Sequence, residues 1–145
     1  MAAVVKKILT IINNVSQIGL VIALIEKMGN DNNLRKDKIM EMMLAAEEMI
    51  CNIINYGYDD EKVHEISVSV VLKEDLLRVE IRDDASAFDP LDVPPPESLE
   101  LPAQQRLPGG LGIHLARKLT DRITYRRKKN KNVLILEKDM TLADK

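Results

Sequence analysis

The amino-acid sequence predicts an α/β (α+β) two-layer sandwich, a mostly antiparallel sheet with its helices on one face. Three observations carry that reading. Apolar residues recur at helical spacing through two stretches between residues 16 and 56. From residue 65 the period drops to two, in segments paired around short polar turns. A third helical run, 112–121, separates two such pairs, so the order is β-α-α-β-β-loop-α-β-β, which groups the helices against one side of the sheet.

Residues 4–12 (VVKKILTII) are rich in β-branched side chains and predict a first strand. Ser16 is placed to cap a helix running to about Met28, with Ile18, Val21, Ile22, Ile25 and Met28 on its inner face and GNDNN (29–33) ending it. A longer helix follows from about Leu34 to Tyr56 and stops at Gly57. Residues 65–72 (EISVSVVL) and 76–83 (LLRVEIRD) predict strands around the turn Lys73-Glu74-Asp75. In the second, Leu77, Val79 and Ile81 face one way while Arg78, Glu80 and Arg82 face the other, as in an antiparallel strand with one buried face. Residues 122–127 (RITYRR) and 132–138 (NVLILEK) make a second hairpin around Lys129-Asn130-Lys131. Between the hairpins lies VPPPESLELPAQQRLPGG (93–110), too rich in proline for a helix or central strand. A connection of this length, about 89–109, is read as a lid rather than a disordered insertion, because it joins the two places with the most unusual chemistry.

Bulk composition narrows the classes of function. At 145 residues, 46% hydrophobic and 30% charged, the chain fits one soluble domain that buries roughly 70% of its unfolded surface. Three Tyr, one Phe and no Trp leave Ile, Leu, Val and seven Met to fill the core. A net charge of −2 argues against direct nucleic-acid binding by bulk electrostatics, and Arg126-Arg127-Lys128-Lys129 reads as a solvated hairpin end. The longest apolar run, Ile18 to Ile25, is far short of the ~20 residues of a membrane helix, and only ILTII follows Lys6-Lys7, too little for a secretory signal. The single Cys51, among apolar helical residues, cannot form an internal disulfide and fits a reducing compartment. The expectation is a cytoplasmic protein.

Three local patterns carry chemistry. On the long helix, Glu41, Glu48, Asn52 and Asn55 share one stripe of an otherwise apolar surface. Such a stripe faces water or a cavity, and the pattern alone favours water. In a cavity, the Asn52 amide oxygen is a hard donor suited to Mg²⁺, and Glu48, one turn away, can orient or deprotonate a hydroxyl. At the end of 76–83, Asp83 and Asp84 open a turn, where a carboxylate at a strand end can accept a hydrogen bond from a ligand amine. In PGGLGIHLARKLTD (108–121), Gly109, Gly110 and Gly112 precede an amphipathic helix. Helix-start N–H groups are unpaired and attract anions, and glycine removes the side chains that would obstruct a phosphate.

In this order and at these separations the patterns resemble the N, G1 and G2 boxes of the histidine-kinase-like ATPase superfamily, which has the Bergerat ATP-binding fold. Within it, EExxCNxxNYGY (47–58), DDxxxFDP (83–90) and PGGLGIHLxRKLxDxxxY (108–125) are similar to bacterial anti-sigma-factor serine kinases. The resemblance covers nearly the whole chain and implies one ATPase domain over 1–145. It implies Glu48 as catalytic base, Asn52 as the Mg²⁺ ligand and Asp83 as the group that binds the adenine amine. Phe88 of the first glycine box and Gly109, Gly110, Leu111 and Gly112 of the second would complete the ATP site, with Arg106 of the lid reaching the γ-phosphate. Ala85 and Ala87 stand where the usual first box has glycine. If that loop needs φ > 0 at either position, nucleotide affinity should fall.

The implied activity is transfer of the γ-phosphoryl of Mg·ATP to a serine of an anti-sigma-factor antagonist protein. A sigma factor as second partner and a homodimer are implied as well. The alternative is a non-catalytic ATP-binding or partner-switching module, which the two alanines favour and Glu48 disfavours. A histidine-kinase fragment is set aside, because His64 at a strand entrance and His114 in the glycine-box helix are poorly placed as phosphoacceptors.

Overall fold

The structure, a computed structural model, describes residues 4–93 and 110–141. Its elements are β1 (Val4–Ile12), α1 (Ile18–Asp31), α2 (Lys36–Tyr56), β2 (Glu65–Lys73), β3 (Leu76–Asp83), α3 (Gly110–Leu119), β4 (Arg122–Lys128) and β5 (Lys131–Asp139). Short 3-10 turns at Val15–Gln17 and Pro90–Asp92 complete them. The five strands lie in the order β1-β2-β3-β5-β4, and every pairing is antiparallel.

Alternation decides which face of the sheet meets the helices. Ile66, Val68, Val70 and Leu72 of β2, with Leu77, Val79 and Ile81 of β3, are buried together with Leu134 and Leu136 of β5. Against them pack Val21, Ile25 and Met28 of α1, Met42, Ala45, Met49 and Ile50 of α2, and Ile113 and Ala116 of α3. Truncating one such side chain, Ile50 for instance, removes about 2–5 kcal/mol. The second hairpin turns at Lys129 and Asn130, both with positive φ (51° and 63°), as a two-residue turn matched to strand twist requires.

Three local expectations change. α3 begins at Gly110, so Gly110 and Gly112 lie in its first turn rather than ahead of it. The first helix does not stop at Gly29 but continues to Asp31. Gly29 sits inside it because a Cβ there would come within 2.5 Å of the Ile39 side chain, so the glycine admits the start of α2. Nor is Ser16 the cap. Asn14 accepts from the Ser16 N–H at 2.9 Å and caps the 3-10 turn that leads into α1, whose own N-cap position, Gln17, makes no side-chain cap bond.

Candidate nucleotide site

The polar stripe of α2 is mostly not a solvated face, which corrects the reading the pattern favours. Glu41 forms an ion pair at 2.9 Å with Lys138, a β5 lysine only 3% exposed whose Nζ also donates at 2.5 Å to the Leu119 carbonyl at the end of α3. Glu48 is half-buried, with its carboxylate against Gly112, where any Cβ would collide with it. Asn52 lines a cavity, and only Asn55 is exposed, donating to Cys51 Sγ. The reason is tertiary: α3 packs along this side of α2.

The cavity, about 190 Å³, opens between the last turns of α2, the end of β3 with its following loop, α3 and the β4–β5 hairpin. Asn52, Asp83 and Phe88 all border it, with Met49, Ile53, Ala85, Ala87, Ile113 and Leu134 supplying apolar wall. Phe88 is half exposed at the rim. Leu111 is 44% exposed on the first turn of α3 and does not border the cavity, unlike Ile113. Gly110 opens α3, whereas Arg106, Gly109 and the lid from Pro94 onward lie outside the described residues.

Asp83 is buried, 2% exposed, yet well supplied with donors. Its Oδ1 accepts from the Ala85 N–H at 2.9 Å and from Asn132 Nδ2 at 2.8 Å. Burial pushes its pKa up, and the Asn132 and Ala85 hydrogen bonds pull it back. The loop after it is unstrained, since neither Ala85 nor Ala87 is among the non-glycine residues with positive φ. The departure from glycine therefore puts no φ penalty on the backbone. Gly57 supplies the room instead: a Cβ there would lie 2.8 Å from that of Ala85, and its carbonyl accepts from the Ser86 N–H at 3.0 Å.

Beside the site, His64 is held between two carboxylates, Nε2 at 2.8 Å from Asp60 and Nδ1 at 3.0 Å from Asp84. Its ring stacks on Tyr58 with centroids 4.3 Å apart. Hydrogen bonds to Asp60 and then Asp84 raise the His64 pKa, and the same contact lowers that of Asp60. Tyr58 is raised far above its ordinary value by burial and then by the Asp83 and Asp84 charges.

A domain model described as the histidine kinase-like ATPase domain matches residues 11–138. The chain belongs to the histidine kinase-like ATPase family. Within that family it is similar to serine-protein kinase RsbW of Bacillus licheniformis, 31% identical over 90 residues, covering 60% of this chain and 56% of the relative. It is equally similar to serine-protein kinase RsbW of Bacillus velezensis, 31% identical over 91 residues with the same coverage. The chain thus spans little more than half the length of these curated relatives. The likeness to anti-sigma-factor kinases read from the motifs is borne out by them. Among solved structures, the RsbU and RsbW domains of Rv1364c from Mycobacterium tuberculosis match 94% of this chain and 32% of that one, with a TM-score of 0.68 at 14% identity. That match carries the fold, which is the Bergerat arrangement of this ATPase family.

Sequence reasoning missed Asn132, Tyr125 and Arg127. Arg127 is not simply a solvated hairpin end: it donates to the Ala85 carbonyl at 2.7 Å. One signal was available, because alternation puts Asn132 on the face of Leu134 and Leu136, a polar residue at a core position.

Proposed function

We propose that this chain forms one ATP-binding domain and acts as a protein serine/threonine kinase of the anti-sigma-factor type. The observation that carries the reading is the pairing of Glu48, held against the first turn of α3, with Asn52 one turn on at the wall of the Asp83 cavity. The adenine ring enters the apolar cavity with its amino group on Asp83. Its phosphates then run toward α3, whose first N–H groups have no intrahelical partners. Glycine at 112 lets Glu48 stand where the phosphates arrive.

Magnesium fits the residues present. No group of three or more His, Cys, Asp or Glu side chains among the described residues could hold an ion alone. Bound together with a nucleotide, Mg²⁺ needs only one or two protein oxygens, and Asn52, which lines the cavity, carries an amide oxygen suited to that role. The ion supplies neutralisation of phosphate charge. Glu48 accepts the proton of the substrate serine as its oxygen bonds to the γ-phosphorus and the bridging oxygen departs with ADP. The substrate is a serine of a protein antagonist, a sigma factor is a second partner, and the working form is a cytoplasmic homodimer.

Thermal melts with and without Mg·ATP test the site. Ligand at about 100 times Kd adds ~2.7 kcal/mol to wild-type stability, and Asn52→Ala loses most of that shift. Incubation with Mg·ATP and candidate antagonists then produces a phosphorylated partner, read by intact mass. A nucleotide-induced shift with no modified partner leads to the non-catalytic module instead.

A further inference from the structure

At the same end of the sheet, three strands place Asp83, Asn132 and Arg127 side by side, since Asp83 pairs with Asn132 across β3–β5 and Asn132 with Arg127 across β5–β4. Asn132 is 6% exposed and its amide is used on every side. Nδ2 donates to Asp83 Oδ1 at 2.8 Å and to the Ser86 carbonyl at 3.0 Å, with the Ala85 carbonyl at 3.3 Å. Oδ1 accepts from the Tyr125 hydroxyl at 2.5 Å and from Arg127 Nη1 at 3.1 Å. Only one orientation of the amide meets two donors and three acceptors in this way. A side chain so fully engaged within the protein holds other groups rather than reading a ligand.

We infer that Asn132 and Arg127 are positioning residues of the nucleotide pocket: together they fix the Asp83 carboxylate and the Ala85–Ser86 backbone in the arrangement that receives a purine amine. The inference rests on the nucleotide-binding reading above and adds to it residues from a different hairpin. Its physical basis is directional. Two donors converge on Asp83 Oδ1, leaving Oδ2 for the ligand, and Arg127 ties the loop to β4 through the Ala85 carbonyl. A loop with alanines in place of flexible glycines is thereby held from the sheet side. Asn132 is also the largest influence keeping Asp83 ionised against its burial, with Arg127 acting in the same sense and Asp84 opposing.

The test uses Asn132→Asp, Arg127→Met and Arg127→Lys, with Mg·ATP affinity by calorimetry and hydrogen exchange of amides 85–88 in ligand-free protein. Asn132→Asp sets a carboxylate against Asp83, and paired carboxylates share a proton at raised pKa. Its Kd relative to wild type is at least tenfold weaker at pH 7.5 and returns toward parity at pH 5.5. Arg127→Met weakens binding several-fold with faster exchange at 85–88, and Arg127→Lys restores part of both. Variants that fold, bind and exchange like wild type overturn the inference. If wild type binds no Mg·ATP, the nucleotide reading fails, and unchanged exchange at 85–88 in the Arg127 variants separately overturns the holding role.

Discussion

A methyl group at Gly112 falls on the Glu48 carboxylate, the far end of a flexible side chain, so the carboxylate moves and the backbone does not. Helical alanine is itself favoured over glycine by about 1 kcal/mol. Gly112→Ala is therefore expected to melt no lower than wild type and, under the proposed kinase function with Glu48 as base, to slow phosphoryl transfer more than tenfold with a smaller change in Mg·ATP affinity. Calorimetry and single-turnover assays separate the two effects. At His64, both ring nitrogens face carboxylates, an arrangement that needs both to carry protons. Its folded pKa is raised, so its contribution to stability is full below the unfolded value near 6.5 and is lost as pH rises through the folded pKa. Asp60, lowered in the fold, sets the opposite limit: its contribution is lost as pH falls through its folded pKa. Melting temperatures across pH 5–9 should decline on the alkaline side in wild type, and His64→Gln should remove that slope.

Among elements, α3 is fixed at both ends by charge. Its first turn meets Glu48, and its last carbonyl, that of Leu119, accepts from Lys138, which also pairs with Glu41 of α2. Removing one partner of a nearly buried pair strands the other, at a cost of about 3–5 kcal/mol. Lys138→Met should lower the urea midpoint accordingly, and adding Glu41→Leu should recover much of the loss, since two apolar side chains can replace the pair. A double variant no more stable than the single would show that the pair does not carry the docking of α3. The sequence marked the ends of α2 closely, Leu34 to Tyr56 against Lys36–Tyr56, because its apolar period is long. It misjudged the end of α1, because glycine served there as a packing surface for Ile39 rather than as a helix stop.

For the whole molecule, the sheet order sets a gradient of protection. β2, β3 and β5 have neighbours on both sides, while β1 and β4 are edges. Amides of these three inner strands should exchange slowest, near the global unfolding free energy, and those of β1 fastest among the strands, with Ile8 (64% exposed) at its open surface. Equal protection in β1 and β3 by exchange mass spectrometry or NMR would contradict this. No helix among the described residues is long and apolar enough to cross a membrane.

What the sequence by itself determined was local and periodic. The alternation in 76–83, the polar turns of both hairpins and the apolar faces of α1 and α2 dictate elements through the burial each must achieve, and the motif stretches at 47–58 and 83–90 supply Asn52, Asp83 and Phe88, which border one cavity. What only tertiary structure decided was which polar groups meet. Whether the Glu41–Asn55 stripe faces water depends on where α3 packs, and whether Arg127 is solvent or scaffold depends on strand order. Asn132 and Arg127 share one hairpin, but Asp83 lies 49 residues before Asn132 and becomes their neighbour only through the β3–β5 register. Hydrogen bonds between such residues are directional and short-ranged, and one-dimensional periodicity holds no record of them.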